Sequence, residues 1–306
     1  CIKKLLKLLM GDIMDIKKCK VFVITAETKQ ISRTAKLTGY TQSAVSHMLK
    51  SLEKEAGIQL FKRDRYGVHL TSLGSDFLFY VKRFLAENER LEQFIYDLHG
   101  LEVGSIRLGT YTSVSTAVLP EIIKSFREAY PNVDITVKEG GSDEMEKWIS
   151  EYEVDLAFCS RRSTFTFEFI HLVNDPIVAV LPPDYHIHDS TTSFPVNEFN
   201  GKPFILSEEG VDYDINRLLE KTKTQPNVVL SARDDATILS MVEQGIGLAV
   251  LPELSCKGRP GKYITMPLEP QCSRDLGVGI KNLNNATPIT RSFIYAVQSY
   301  FENTEE

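Results

Sequence analysis

The chain has 306 residues, 42% hydrophobic and 25% charged, which is ordinary for a soluble globular protein and long enough for about two domains. Its five cysteines are odd in number and widely spaced with no C-x-x-C, so neither a disulfide framework nor a zinc site is suggested and a reducing cytoplasm is expected; no apolar run approaches the roughly 18–20 residues of a membrane span. The net charge of -6 hides a split: residues 1–70 carry 14 Lys+Arg against 6 Asp+Glu, the remainder 21 against 35, and a basic head on an acidic body points the head at a polyanion.

In chain order, Ile16 to Glu27 carries Ile16, Val21, Phe22, Val23, Ile24 and Ala26, and predicts a helix with Phe22 in the core. The next stretch, Ile31 to Leu70, predicts two helices meeting at a glycine. Ile31, Ala35 and Leu37 give the first its apolar side, Gly39 ends it, and Thr41 caps the second. That second helix runs from about Gln42 to Ala56. Val45, Leu49 and Leu52 face inward, leaving Gln42, Ser43, Ser46, His47 and Lys50 outside as donors and acceptors of a size that reaches base edges in a major groove. Helix, tight turn and polar-faced helix make a helix-turn-helix. Lys62, Arg63, Asp64 and Arg65, a turn at Tyr66-Gly67, and Val68-His69-Leu70 then predict a two-stranded wing with a basic tip for phosphate contact.

This stretch resembles the winged helix-turn-helix of LysR-type transcriptional regulators. The matching residues are the Ala35 helix, Thr41-Gln42-Ser43-Ala44-Val45-Ser46, Leu52-Glu53, Gly57, Leu60-Phe61, Arg63, Leu70-Thr71 and Gly74, without a gap. His47 departs from the family, where many members carry arginine. The resemblance implies sequence-specific binding of double-stranded DNA by a homodimer or homotetramer, with RNA polymerase as a further partner and no cofactor. It begins at Met14, so residues 1–13 (CIKKLLKLLMGDI) read as an upstream extension, not a short cationic amphipathic membrane anchor. The expected domains are 14–72 for the head, 73–100 for a linker helix and 104–306 for an effector domain. Its first lobe would comprise 104–163 and 269–306, and its second 164–268.

Thr71 is expected to cap the linker helix to about Leu98. Phe77, Phe84, Leu91 and Leu98 repeat every seven residues, with Tyr80, Val81, Phe94 and Ile95 beside them. Such a seam asks for a partner helix, and Glu87 and Asn88 interrupt it where register would be set. The competing reading is a helix packed on its own domain.

Beyond Gly104 the pattern alternates strand and helix: a strand at Ser105–Gly109, a helix over Ser115–Tyr130, a strand through Val133, Ile135 and Val137, a helix to about Tyr152, and a strand over Val154–Cys159. This order implies a parallel sheet with right-handed crossovers. Residues 168–182 predict two strands around Asp175-Pro176. A second α/β unit follows, with helices at Tyr213–Thr222 and Asp235–Gln244. Strands near Tyr263–Met266 and Leu276–Ile280 precede a closing helix from Pro288 to Phe301. The predicted fold class is α/β, with a winged helix-turn-helix, a long linker helix and a two-lobed effector domain similar to periplasmic binding proteins.

Ligands of such domains bind at the carboxyl ends of strands. Three loops qualify: Thr110 with Thr112 and Ser113, Ser160-Arg161-Arg162, and Ser207. Hydroxyls at a helix start and an arginine suit a small metabolite, an anionic one among the candidates. The competing readings are helix caps for the hydroxyls and a solvated pair for Arg161 and Arg162. In the head, Gln42, Ser43 and Ser46 are the expected base contacts; Lys36, His47, Lys50, Lys62, Arg63 and Arg65 are the expected phosphate contacts. Gly245-Ile246-Gly247 lacks a third glycine and precedes a strand, so close packing is expected, not nucleotide binding. His171, His186 and His188 show no metal-ligand spacing, and Trp148 reads as packing. A solute-binding protein and an α/β enzyme are the alternatives. The first would require export, and no secretory signal with a cleavage site is visible; the second would require a nucleophile–base set or cofactor loop.

Overall fold

A computed structural model describes residues 15–65, 67–98, 103–187, 192–208, 210, 212–259 and 261–304. The chain divides into two units, residues 1–92 and 93–306, and each is described by itself. The segment 1–13, Cys1, Tyr66, Gly100, His188 and the Leu98 side chain lie outside the described residues.

In the first unit, α1 (Ile16–Thr28), α2 (Ile31–Thr38) and α3 (Gln42–Ala56) pack around Cys19, Phe22, Ala35, Val45, Leu49 and Leu52. Asp15 caps α1 by accepting from the Lys17 N–H at 2.8 Å, and Thr41 caps α3 by accepting from the Ala44 N–H at 3.1 Å. Gly39 (φ +70°) ends α2 and Gly57 (φ +69°) ends α3, left-handed positions that glycine occupies without strain. The apolar side expected of α2 needs one correction. Ala35 is buried but Leu37 is 65% exposed, because two residues turn a helix by about 200° and carry Leu37 to the far face.

Strands β1 (Phe61–Asp64) and β2 (Gly67–Leu70) form the antiparallel wing. Glu53 of α3 fastens it: one carboxylate oxygen accepts from the N–H groups of Leu60 and Phe61, at 2.9 and 3.1 Å. Val68 donates to the Lys29 carbonyl at 2.9 Å, and a Cβ on Gly67 would lie 2.5 Å from that oxygen. Thr71 accepts from the Gly74 N–H at 2.9 Å and starts α4 (Ser72–Leu98). The heptad seam expected on α4 is divided in two. Phe77 and Val81 pack into the head core, where Phe77 lies edge-on to Phe22 with centroids 5.4 Å apart. Tyr80, Phe84, Leu91, Phe94 and Ile95 stay exposed. Asn88 donates to Glu92, and Arg90 to Glu87, within the helix.

In the second unit, β3 (Val103–Thr110) is followed by α5 (Thr112–Ala117), α6 (Leu119–Ala129), β4 (Asn132–Glu139), α7 (Ser142–Ser150) and β5 (Leu156–Ser160). Strand β3 lies between β4 and β5 and runs parallel to both. The single helix expected over 115–130 is two helices, starting at Thr112 and broken at Val118 (φ -125°, ψ -51°). Pro120, in the first turn of α6, has no N–H and cannot continue the α5 ladder. Val137 is exposed on the edge strand β4.

The paired strands expected around Asp175-Pro176 are one strand, β6 (Glu168–Leu181). A second lobe follows: β7 (Phe194–Pro195), β8 (Pro203–Ser207), α8 (Tyr213–Thr222), β9 (Asn227–Ala232), α9 (Asp235–Glu243), β10 (Ala249–Pro252) and α10 (Glu253–Cys256). The strands expected near 263–266 and 276–280 are likewise joined as β11 (Ile264–Ile280), antiparallel to β6 along its length, with a bulge between Pro267 and Cys272. Helix α11 (Pro288–Thr304) returns to the first lobe.

Each lobe has its own core. Ile106, Phe126, Trp148, Phe158 and Phe293 belong to the first, and Ile177, Phe199, Phe204, Leu239 and Val250 to the second. Phe167 and Leu172 lie in the first core and Leu268 in the second. The crossover therefore sits at Asp175 and Arg274, later than the boundaries at 163 and 269 that the sequence suggested. Trp148 is a core residue, with the Lys138 ammonium 3.9 Å from its ring centroid. A Cβ on Gly247 would lie 3.0 Å from the Pro203 carbonyl oxygen, so its role is close packing. Cys19, Cys159, Cys256 and Cys272 are free thiols.

Candidate functional site

In the head, burial divides α3 cleanly. Val45, Leu49 and Leu52 are buried, Gln42, Ser43, His47 and Lys50 are exposed, and Ser46 is half-buried at the edge of the outward face. Lys36 of α2 is exposed, as are Lys62 and Arg63 on β1 and Arg65 beside it. Every residue expected to contact DNA therefore reaches the surface. The N-terminal turn of α3 presents the small polar side chains, and the wing presents the cations. No described helix is long and apolar enough to cross a membrane.

In the second unit, a cavity of about 420 Å³ opens between the lobes. The first lobe contributes Thr112 and Ser113 from the start of α5, Ser142 from the start of α7, and Ser160 from the end of β5. Tyr111 holds these together. Its buried hydroxyl accepts from the Ser160 N–H at 3.0 Å and hydrogen-bonds the Ser142 hydroxyl at 3.0 Å, and burial pushes its titration well above the usual phenol range.

The second lobe contributes carboxylates. Asp212 caps α8, accepting from the N–H groups of Asp214 and Ile215 at 3.0 and 3.1 Å. Asp214 accepts from the Ser160 hydroxyl, a bond between the lobes. Asp234 caps α9 by accepting from the Ala236 N–H, and Asp235 accepts from the Ser255 hydroxyl at 2.7 Å. Burial pushes Asp212 up to about 6, against the pull of the Arg274 charge and the Ile215 N–H. Burial also raises Asp214 and Asp235, partly offset by the Ser160 and Ser255 hydroxyls respectively.

At the crossover, Arg274 lines the cavity. Its Nε donates to Asp175 at 2.8 Å and an Nη donates to the Ser113 hydroxyl at 2.9 Å. At the cavity mouth Arg233 of the second lobe pairs with Glu144 of the first. Nearby, Arg162 donates to Asp143 at 2.7 Å and lies 4.4 Å over the Tyr213 ring.

Of the residues expected to bind a ligand, Thr112, Ser113 and Ser160 line the cavity together. Thr110 does not: it is buried behind the loop and its hydroxyl donates to the Tyr111 carbonyl. Arg161 also points elsewhere, exposed over Phe169 and 3.6 Å from Asp275. Ser207 is buried outside the lining, its hydroxyl without a hydrogen-bond partner among the described residues. Sequence reasoning placed Tyr111 in a candidate loop without giving it a role, and missed Ser142, Asp212, Asp214, Asp235 and Arg274. A signal was present for the aspartates: Asp212 and Asp234 each stand directly before a predicted helix, where cap residues belong. His171 bonds Asp275 at the surface, and no group of three His, Cys, Asp or Glu suited to a metal ion occurs among the described residues.

Comparison with known proteins agrees with this division. Residues 16–75 match the family described as bacterial regulatory helix-turn-helix protein, lysR family, and residues 99–302 match the LysR substrate binding domain. The uncharacterized HTH-type transcriptional regulator YvbU of Bacillus subtilis is 29% identical over 291 residues, covering 94% of this chain and 99% of that protein. A full-length OxyR variant from Pseudomonas aeruginosa superposes with a TM-score of 0.72 at 20% identity, over 94% of this chain and 95% of that one. CbnR, a LysR family transcriptional regulator, superposes with a TM-score of 0.66 at 15% identity, over 94% and 99% of the two chains. At those identities the structures speak for the fold, while the domain matches span most of the sequence. This chain belongs to the LysR family of DNA-binding transcriptional regulators, with an N-terminal helix-turn-helix domain and a C-terminal effector-binding domain.

Proposed function

We propose that this regulator reads its operator through Gln42, Ser43 and Ser46, held in register by phosphate contacts from Lys36, His47, Lys50, Lys62, Arg63 and Arg65. One observation carries the reading: α3 buries its apolar stripe and exposes only polar side chains on the opposite face, beside an exposed basic wing. Base edges give specificity and phosphates give register, so the two sets respond differently to mutation. The exposed stripe on α4, from Tyr80 through Phe84 and Leu91 to Ile95, supports pairing of two chains through that helix. Two heads then read two half-sites.

A small molecule bound in the cavity between the lobes is the regulatory input. It must bind two arrangements of the protein with different affinities to shift transcription, through DNA bending or contact with RNA polymerase. The chain acts as a regulator and carries out no chemistry. A gel-shift titration with DNA from upstream of its own gene tests the reading. A retarded complex that weakens steeply with salt and is lost in Gln42→Ala with Arg63→Ala supports it. Equal affinity for any duplex in wild type and variant overturns it.

A further inference from the structure

We propose that the effector of this protein is a small organic cation, one or more protonated amines or a guanidinium, held by the carboxylates of the second lobe. The inference rests on the reading of the interlobe cavity as the effector site and names the chemistry that site would accept.

The charges lining the cavity are unequal. Glu139, Asp212, Asp214, Asp234 and Asp235 face two arginines, Arg233 and Arg274. Both arginines pair with carboxylates that stand outside the lining, Arg233 with Glu144 and Arg274 with Asp175. Five acids against two cations leave a net negative field inside a partly enclosed volume, even with the Arg274 charge acting on Asp212, Asp214 and Asp235. Burial raises Asp212, Asp214 and Asp235, and the Arg274 charge with the Ser160 and Ser255 hydroxyls offsets that rise only in part.

An anion meets a second obstacle. The amino ends of α8 and α9 border the cavity on the second lobe, and each would attract an anionic group. Asp212 and Asp234 already fill those positions with the protein's own carboxylates. A bound carboxylate would compete with them and be repelled by Asp214 and Asp235. A single metal ion does not answer the field either, because no described group of three carboxylates or other ligands gathers closely enough. The requirement that remains is positive charge distributed over several N–H donors, which amines and guanidinium groups supply. A volume of about 420 Å³ suits a molecule of that size, with the Tyr111 ring as an apolar wall.

Calorimetry with the full chain at neutral pH tests the proposal. Putrescine, agmatine and lysine form one set of probes, and succinate, glutarate and citrate the other. At least one amine binds, and tighter than every carboxylate. Asp212→Asn and Asp214→Asn each weaken that amine by at least about tenfold, the loss of a charge-assisted hydrogen bond. Asparagine still caps α8 at position 212, and at 214 its amide oxygen still accepts from Ser160. Two variants thus guard against a folding defect, and unchanged melting temperatures check it. Silence from all three amines, or a preference for a carboxylate, overturns the proposal. A carboxylate that binds and is lost in Thr112→Trp, which fills the first-lobe wall, overturns the charge class and keeps the cavity as the site. A ligand that binds Thr112→Trp as tightly as wild type overturns the cavity reading itself.

Discussion

Arg274 and Asp175 face each other across β11 and β6, and their buried side chains pair at 2.7 Å where both strands leave one core for the other. Both are almost fully buried, at 4% and 3% exposure. Burial works against the guanidinium charge, but Asp175 and Asp212 more than offset it, and Arg274 holds its proton more tightly than a free arginine. Removing one partner strands a buried charge. Asp175→Ala should destabilise the second unit by about 3–5 kcal/mol, whereas Asp175→Leu combined with Arg274→Met should recover most of that loss. Urea melts of the three proteins check both directions. Equal stability of Asp175→Ala and wild type contradicts the argument.

On the proposed docking, the head separates specificity from affinity. Gln42→Ala should cost about 1–3 kcal/mol at one base-pair position and relax the preference there. Arg63→Ala should weaken all sequences alike and lower the salt slope by about one. Fluorescence anisotropy over a set of singly substituted operators, repeated at several salt concentrations, reads both effects.

Self-association tests α4. Leu91 is 58% exposed in the middle of the apolar stripe, and an exposed apolar patch of this kind marks an interaction surface. Leu91→Lys should shift sedimentation toward the monomer and weaken binding to a two-half-site operator far more than to one half-site. A variant that sediments like wild type places the partner surface elsewhere.

Asp212 supplies a pH dependence with a defined sign. Its ordinary value of 3.8 is raised to about 6 in the fold, so the folded state takes up its proton before the unfolded state does. Ionised Asp212 therefore costs stability, and that cost is relieved as pH falls through about 6 toward 4. Arg274, Asp214 and Asp235 are the charges that act on it. Ligand binding follows the opposite course: an amine needs the carboxylate charged, so its affinity should fall about tenfold between pH 7 and pH 5. Asp212→Asn should flatten both curves. An amine affinity independent of pH in wild type sinks this assignment.

The winged head was legible because its information is local. Thr41, Gly57, Glu53 and Gly74 each act on neighbours within a few tens of residues, and a contiguous motif records them. The cavity was legible only in part. Thr112, Ser113 and Ser160 follow from the rule that sites form where strands end. Arg274 and Asp175 do not, because their meeting depends on the register of two strands 99 positions apart in sequence. Joining β6 through Pro176 was hidden too, since a proline normally argues against a continuous ladder. The first-lobe helix was missed in its detail because Pro120 sits in a first turn, where proline is tolerated, and the sequence does not show that a second helix starts there.

The clasp of Glu53 on the backbone of Leu60 and Phe61 has a mechanical consequence. It joins α3 and the hairpin into a caliper of fixed gauge, so the two cannot slide past each other without breaking both hydrogen bonds. On the proposed pairing of two chains, an effector would act on the span from one caliper to its twin and leave this gauge as it is.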